Sequence, residues 1–192
     1  MSEEEINAAQ KSNSSISAAG RRLVEQQLGR SAKNALAVCD HCSSGFPRVV
    51  KVHPFFDREV FPTTYWLTCP RLKSRVQKLE DEGLLDRLTE KEKNDEEFAR
   101  AVQRAHGEYA QKRRSLMDEK LWKEAAELSR DVIEVLKNSG VGGIRTEKGL
   151  KCLHAHLAHY LAGGNNPVGR ITAASLEFPT LCRDCSDYRE GD

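Results

Sequence analysis

The densest group of metal-binding and proton-transferring side chains lies in the segment KCLHAHLAHY, residues 151–160. Thiolate and imidazole are preferred zinc ligands, and imidazole also exchanges protons near neutral pH. A helix advances about 100° per residue, so a helical segment would place Cys152, His156 and His159 on one face, opposite a leucine stripe. The spacing predicts a metal-binding or catalytic face formed by Cys152 and His156. His159 alone is interpreted as a solvated histidine, and His154 falls at the edge of the leucine stripe.

Five further cysteines could supply thiolates to the same site. Two C-x2-C pairs occur near opposite ends of the chain, Cys39 with Cys42 and Cys182 with Cys185. Together the pairs would suit a four-thiolate zinc site, although their separation is unlike the compact spacing of a zinc ribbon. Cys69 follows an apolar segment and precedes a proline, where it could present a thiolate. The alternative for Cys69 is a small buried hydrophobic residue, which is a common environment for a lone cysteine.

Composition and charge exclude several classes of protein. The chain has 192 residues, 39% hydrophobic and 31% charged, with a net charge of +1. This size suits one domain, and the small net charge gives no global attraction to nucleic acid or to an acidic membrane. No apolar run reaches transmembrane length, and the acidic, polar start lacks the features of a signal peptide. We therefore expect a cytoplasmic protein without a membrane partner, whose cysteines are thiols or metal ligands.

The pattern of residues predicts a mainly α, α+β fold in one domain. We expect a disordered tail over residues 1–14, a single helical α+β domain over 15–178 and an irregular tail with the second C-x2-C over 179–192. Residues 48–54 and 59–70 are strand candidates. Prolines punctuate this region, so its strands must be short or at a sheet edge.

Apolar residues at helical spacing predict the remaining elements. One stripe runs along 98–109 and another along 121–135, and each is interpreted as one helix. Leu84, Leu85 and Leu88 are interpreted as a short turn. A third strong helix is predicted over LKCLHAHLAHYLAGG, with Gly163 as its C-terminal stop.

Several long motifs carry a resemblance to a known family. The segments FPTTYWLTCP and KCLHAHLAHYLAGGNNPVG, with SSGFPRVV and GVGG, resemble the bacterial domain-of-unknown-function family 501 over most of residues 24–169. The resemblance implies three family cysteines, which correspond here to Cys42, Cys69 and Cys152. Ser43 stands where the family often has proline, and the remaining cysteines lie outside the family pattern. The resemblance implies no activity.

The residue types and the resemblance select the same three thiols, which leads to two alternatives for a cofactor. Cys42, Cys69 and Cys152 with His156 would close a tetrahedral zinc site. The three thiolates without the histidine could hold a [4Fe–4S] cluster with one open iron. Cys39 is a further candidate ligand.

Polar residues near these thiols are candidates for catalysis and for substrate binding. Lys151 and His154 flank Cys152 and, with His156, are candidate catalytic groups. The candidate substrate-binding residues are Tyr65, Arg71 and Asn166.

Two functional hypotheses remain open from the sequence. The first is a metalloenzyme with an open metal site that acts on an unidentified small polar molecule. The second is a binding module held together by structural zinc, which contacts RNA or a protein partner through the basic run at Lys112, Arg113 and Arg114. A solvated helix face also explains that run.

Overall fold

The computed structural model describes residues 15–146, 148–176, 178 and 185–189, and within them the predicted mainly helical α+β fold is confirmed. The helices are α1 (Ala18–Leu28), α2 (Pro70–Asp81), α3 (Leu84–Asn94), α4 (Glu96–Arg114), α5 (Glu119–Leu128), α6 (Arg130–Asn138), α7 (Leu153–Leu161) and α8 (Pro167–Ala174). The strands are β1 (Ala35–His41), β2 (Pro47–Val52), β3 (Phe55–Phe56), β4 (Glu59–Val60) and β5 (Tyr65–Leu67). Two 3-10 turns span Val141–Gly143 and Ser186–Arg189. The predicted tail at 1–14 and Cys182 lie outside the described residues.

The strands form a small antiparallel sheet in the order β1–β2–β5, with a separate two-stranded hairpin of β3 and β4. The first strand candidate, 48–54, corresponds to β2. The second, 59–70, is divided into the short strands β4 and β5 by Pro62 and the residues that follow it. Proline cannot donate to a ladder, so the strands of this region are as short as predicted.

The main core lies between β5 and the helices. It is built from buried side chains that include Val49, Tyr65, Leu67, Leu72, Val76, Phe98, Val102, Tyr109, Leu153, Leu157 and Val168. Helix α7 is central, because it packs on β5, α2, α8 and the 3-10 turn at Val141–Gly143. The leucine stripe of α7 is therefore buried as predicted, but so is most of the rest of its surface.

Two of the helix predictions were wrong in their boundaries. The leucines at 84–88 begin the eleven-residue helix α3, which follows directly after the left-handed Gly83. The stripe at 121–135 belongs to two helices rather than one. The chain is fully extended at Ser129, whose hydroxyl accepts a hydrogen bond from Val132 N–H at 3.2 Å and so starts α6. A side-chain cap of this kind interrupts a helix without disturbing the spacing of the apolar residues.

Candidate functional site

Cys152 occupies the position before the first turn of α7, with an extended backbone (φ −159°, ψ 147°). The prediction that Cys152 and His156 share one helix face is therefore wrong. The carboxylate of Glu80, on α2, accepts a hydrogen bond from Leu153 N–H at 2.5 Å. This contact satisfies a backbone donor of the first turn, so the helix begins at Leu153 and leaves Cys152 outside it.

The structure gathers Cys152, His154 and Glu80 into one group. One potential ligand atom from each residue lies within 4.8 Å of the other two. His154 Nε2 is 3.1 Å from the carbonyl oxygen of Lys73. A carbonyl can only accept, so Nε2 carries a proton and Nδ1 is the ring nitrogen that faces Glu80. We call these three residues the Cys–His–Glu triad.

The spacing of His154 and Glu80 within the triad matches metal coordination. His154 Nδ1 lies 3.4 Å from Glu80 Oε1. In a tetrahedral zinc site with bonds of about 2.1 Å, two ligand atoms are about 3.4 Å apart. Two lone pairs that face each other at this distance repel unless a proton or a metal ion lies between them. The geometry thus accommodates either an imidazolium–carboxylate pair or a bound cation.

The thiol of Cys152 is held in its protonated form when no metal is bound. Burial raises the pKa of Cys152, and the nearby Glu80 carboxylate raises it further. The backbone N–H groups of Ala155 and His154 and the charge of Lys151 act in the opposite direction but are outweighed. A coordinated metal ion would remove this proton, because thiols bind metals as thiolates.

A cavity of about 380 Å³ adjoins the triad. Its polar lining includes Arg30, Thr63, Tyr65, Lys73, Lys151, Cys152 and His154. Four predicted site residues, Lys151, Cys152, His154 and Tyr65, therefore line one cavity. Arg71 is half-buried on α2 and is absent from the described lining.

The other predicted thiol ligands lie outside the Cys–His–Glu triad. Cys42 is in the β1–β2 turn, where its N–H donates to Phe46 O at 2.9 Å. Cys69 is buried at the start of α2, and Cys39 is in β1, where burial raises its pKa. Within the described ranges the Cys–His–Glu triad is the group with metal-ligand spacing, and it includes neither Cys42 nor Cys69. The assignment of Cys39, Cys42 and Cys69 as ligands stays a prediction.

Glu80 is the site residue that sequence reasoning missed. It lies 73 residues before Leu153, on a charged stretch of α2 that looks like an ordinary solvated helix face. Only the packing of α2 against α7 brings its carboxylate to the triad. No local sequence pattern predicts that contact.

Comparison with known proteins identifies the family. A family model described as a protein of unknown function (DUF501) matches residues 38–174. The chain belongs to the DUF501 family. No curated protein and no solved structure matches it. The matched range of the DUF501 chain contains the whole triad, with Lys73 and Lys151. Among its described helices, none combines the length and the apolar character needed to cross a membrane.

Two further histidines of the DUF501 chain, His156 and His159, are buried on α7. Asn166 Oδ1 accepts from Gly169 N–H at 2.9 Å and lies 3.1 Å from His156 Nδ1, so that nitrogen is a donor. Asn166 Nδ2 donates to His159 Nδ1 at 3.2 Å. One amide therefore fixes both rings. Asn166, a predicted substrate-binding residue, is itself buried and lies outside the described cavity lining.

The prediction that His159 faces solvent is wrong. His159 is 0% exposed, stacked on Tyr65 with ring centroids 5.8 Å apart and met edge-on by Tyr109 at 5.0 Å. A Cβ on Gly164 would come within 2.2 Å of its ring. His156 is equally buried and, like His159, has an Nε2 without a hydrogen-bond partner among the described residues. Helix α7 is enclosed on several sides, so His156 and His159 pack in the core.

Burial of His159 predicts a loss of stability in mild acid. Burial lowers its pKa to about 4; Glu108 raises this pKa, whereas Lys112 and His106 lower it. The unfolded chain, with a histidine pKa of about 6.5, takes up the proton first, so stability falls as the pH drops from about 6.5 to 4. At pH 5 this single group should cost about 2 kcal/mol of unfolding free energy relative to pH 7.5.

Urea unfolding at several pH values measures this loss. His159→Phe keeps the aromatic packing and removes the titrating group. Between pH 7.5 and pH 5, the free energy of unfolding of this variant should therefore fall by about 2 kcal/mol less than that of the wild type. Equal pH slopes for the variant and the wild type would show that His159 does not titrate in this way.

Proposed function

We propose that this protein binds one zinc ion through Cys152 Sγ, His154 Nδ1 and a carboxylate oxygen of Glu80, with a fourth position open to the cavity. On this proposal the protein is a metalloenzyme that acts on a small polar molecule. The observation that carries the proposal is the position of three convergent ligand atoms, within 4.8 Å of one another, beside a cavity of about 380 Å³.

The chemistry of the three donors fits zinc. Thiolate, imidazole and carboxylate are its usual protein ligands, and catalytic zinc commonly has three protein ligands and one open position. The surrounding hydrogen bonds also fit, because Lys73 O accepts from His154 Nε2 and Leu153 N–H donates to Glu80. Such partners orient metal ligands and fix the tautomer of the histidine. A [4Fe–4S] cluster is less well suited, because it is held by cysteine thiolates and the triad supplies one.

The cavity residues have defined tasks on this proposal. Bound zinc would supply a Lewis acid and a water molecule whose pKa is lowered to about 7. The carbonyl of Lys73 holds His154 so that Nδ1 points to Glu80. Lys151 and Tyr65 line the space in which a substrate would be oriented. The half-buried position of Cys152 limits the access of water to the thiolate.

The alternative, a binding module that contacts RNA through its basic run, receives less support. Arg113 is 0% exposed and donates its hydrogen bonds inside the protein. Lys112 pairs with Glu108 at 2.6 Å, and Arg114 donates to Lys137 O at 2.7 Å. The basic run therefore offers fewer free positive charges to RNA than its sequence predicts. We retain the cytoplasm as the proposed compartment, since no disulfide joins the five described cysteines and thiols persist there.

Zinc-dependent thermal stability tests the proposal against the imidazolium–carboxylate pair. A ligand at 100 times its dissociation constant stabilises the folded state by about 2.7 kcal/mol, which corresponds to a rise in Tm of about 5–10 °C for a chain of this size. His154→Ala should abolish the rise. His41→Ala, which removes an exposed histidine of β1, should retain it. A zinc-induced rise of the same size in His154→Ala would contradict the triad as the binding site.

A further inference from the structure

The cavity beside the triad has an unbalanced positive charge. Arg30, Lys73 and Lys151 line it, and its described lining contains no carboxylate side chain. None of the three cations forms an ion pair within the described part of the chain. Like charges along one concave surface raise the local concentration of anions. The unpaired cations point to an anionic ligand.

The cations are attached to ordered parts of the fold. The guanidinium carbon of Arg30 lies 4.2 Å from the ring centroid of Trp66, a cation–π contact between two residues that both line the cavity. The stem of Lys151 passes Gly142, where an added Cβ would lie 3.4 Å from Lys151 Cβ. Lys73 is on α2, where its own carbonyl holds His154. Lys73 and Lys151 therefore lie beside the proposed zinc ligand.

We infer that the cavity binds the phosphate group of a small phosphorylated molecule, with Lys73 and Lys151 contacting the phosphate oxygens. This inference extends the proposed function. The contacts of the phosphate with the lysines do not require zinc, whereas an additional contact between the phosphate and zinc rests on the proposed function. Zinc with one thiolate and one carboxylate is electrically neutral, so the three cations remain as an excess that suits a dianion better than a single carboxylate. A phosphate also offers several acceptor oxygens to several ammonium donors.

The apolar residues that line the cavity indicate the chemistry of the rest of the ligand. Leu28, Trp66 and Leu67 also line the cavity, so the phosphate should be attached to an organic group that contacts apolar and aromatic surface. A volume of about 380 Å³ is that of a site for one small molecule rather than for a polymer chain.

Inorganic phosphate, observed by phosphorus NMR and by calorimetry, is the probe. Phosphate should bind the zinc-free protein and bind the zinc-loaded protein more tightly. Lys73→Met and Lys151→Met should each lower the phosphate affinity about tenfold, since each removes one charge-assisted contact. Lys123→Met, which changes an exposed lysine of α5, should leave the affinity unchanged. Circular dichroism of each variant is the control for correct folding.

The outcomes separate this inference from the zinc proposal. Zinc binding with no phosphate affinity, or with affinity that both lysine variants retain, overturns the inference and leaves the zinc site intact. Phosphate binding that depends on both lysines, in a protein that binds no zinc, supports the anion site and refutes the proposed metal. Succinate binding more tightly than phosphate would also overturn the choice of a phosphate group.

Discussion

Replacing Cys152 with serine should weaken zinc binding by far more than the roughly 100-fold that loss of an outer-shell partner costs. Zinc would hold the thiolate in a strong bond, whereas a serine hydroxyl keeps its proton near neutral pH and is a poor ligand. The substitution changes one half-buried atom just before α7 and leaves the Glu80 contact to Leu153 N–H in place. The fold should therefore survive the change. Competition with a chromophoric chelator on reduced protein measures the affinity.

Cys42→Ser is the matched control for that experiment. Cys42 is also half-buried and unpaired by a disulfide, but it lies in the β1–β2 turn, outside the triad. Its zinc affinity should equal that of the wild type. Equal losses in Cys42→Ser and Cys152→Ser would instead favour the shared site of Cys42, Cys69 and Cys152 that the sequence predicts, and would refute the triad.

Arg113→Met should destabilise the fold by about 3–5 kcal/mol, a large part of the 5–15 kcal/mol typical of a domain. The guanidinium of Arg113 is completely buried and donates to the carbonyls of Leu136 at 2.8 Å, Pro62 at 3.0 Å and Ser139. Burial lowers its pKa to about 10, which leaves it charged at neutral pH. Methionine fills similar space but leaves these acceptors without their donor, at about 1–3 kcal/mol for each buried group.

Urea unfolding of Arg113→Met and Arg114→Met provides the comparison. Arg114 follows in the same helix and donates to Lys137 O from an exposed position, so its loss should change the unfolding free energy by about 0.5 kcal/mol or less. Similar unfolding free energies for the two variants would show that the buried guanidinium does not join α4 to α6 and the segment before β5.

Local patterns were sufficient to predict much of the fold. The stripe of Phe98, Val102 and Tyr109 is buried on one helix, because apolar residues at helical spacing must face the core. The prolines of the β region limited its strands as expected. Helix boundaries were less predictable. The start of α7 depends on Glu80, which is close in space and distant in sequence.

The candidate site was predictable only in part, for the same reason. Residue types alone singled out Cys152, His154 and Lys151 as candidates, because thiol, imidazole and amine groups close together in sequence are typical of binding and catalytic sites. Whether a histidine faces solvent, a metal or a core depends on its neighbours in three dimensions. His156 and His159 lie in the core because α7 is enclosed on several sides, and Asn166 satisfies one ring nitrogen of each. The positions of Glu80 and the cavity cations follow from tertiary packing.

X-ray absorption spectroscopy of the zinc-loaded protein tests the central claim most directly, because it counts the sulfur atoms bound to the metal. The Cys–His–Glu triad predicts one sulfur at about 2.3 Å, with the remaining ligands nitrogen or oxygen at about 2.0–2.2 Å. In Cys152→Ser the sulfur signal should disappear. Two or more sulfur ligands in the wild type would contradict the triad and would place the metal at the cysteines elsewhere in the chain.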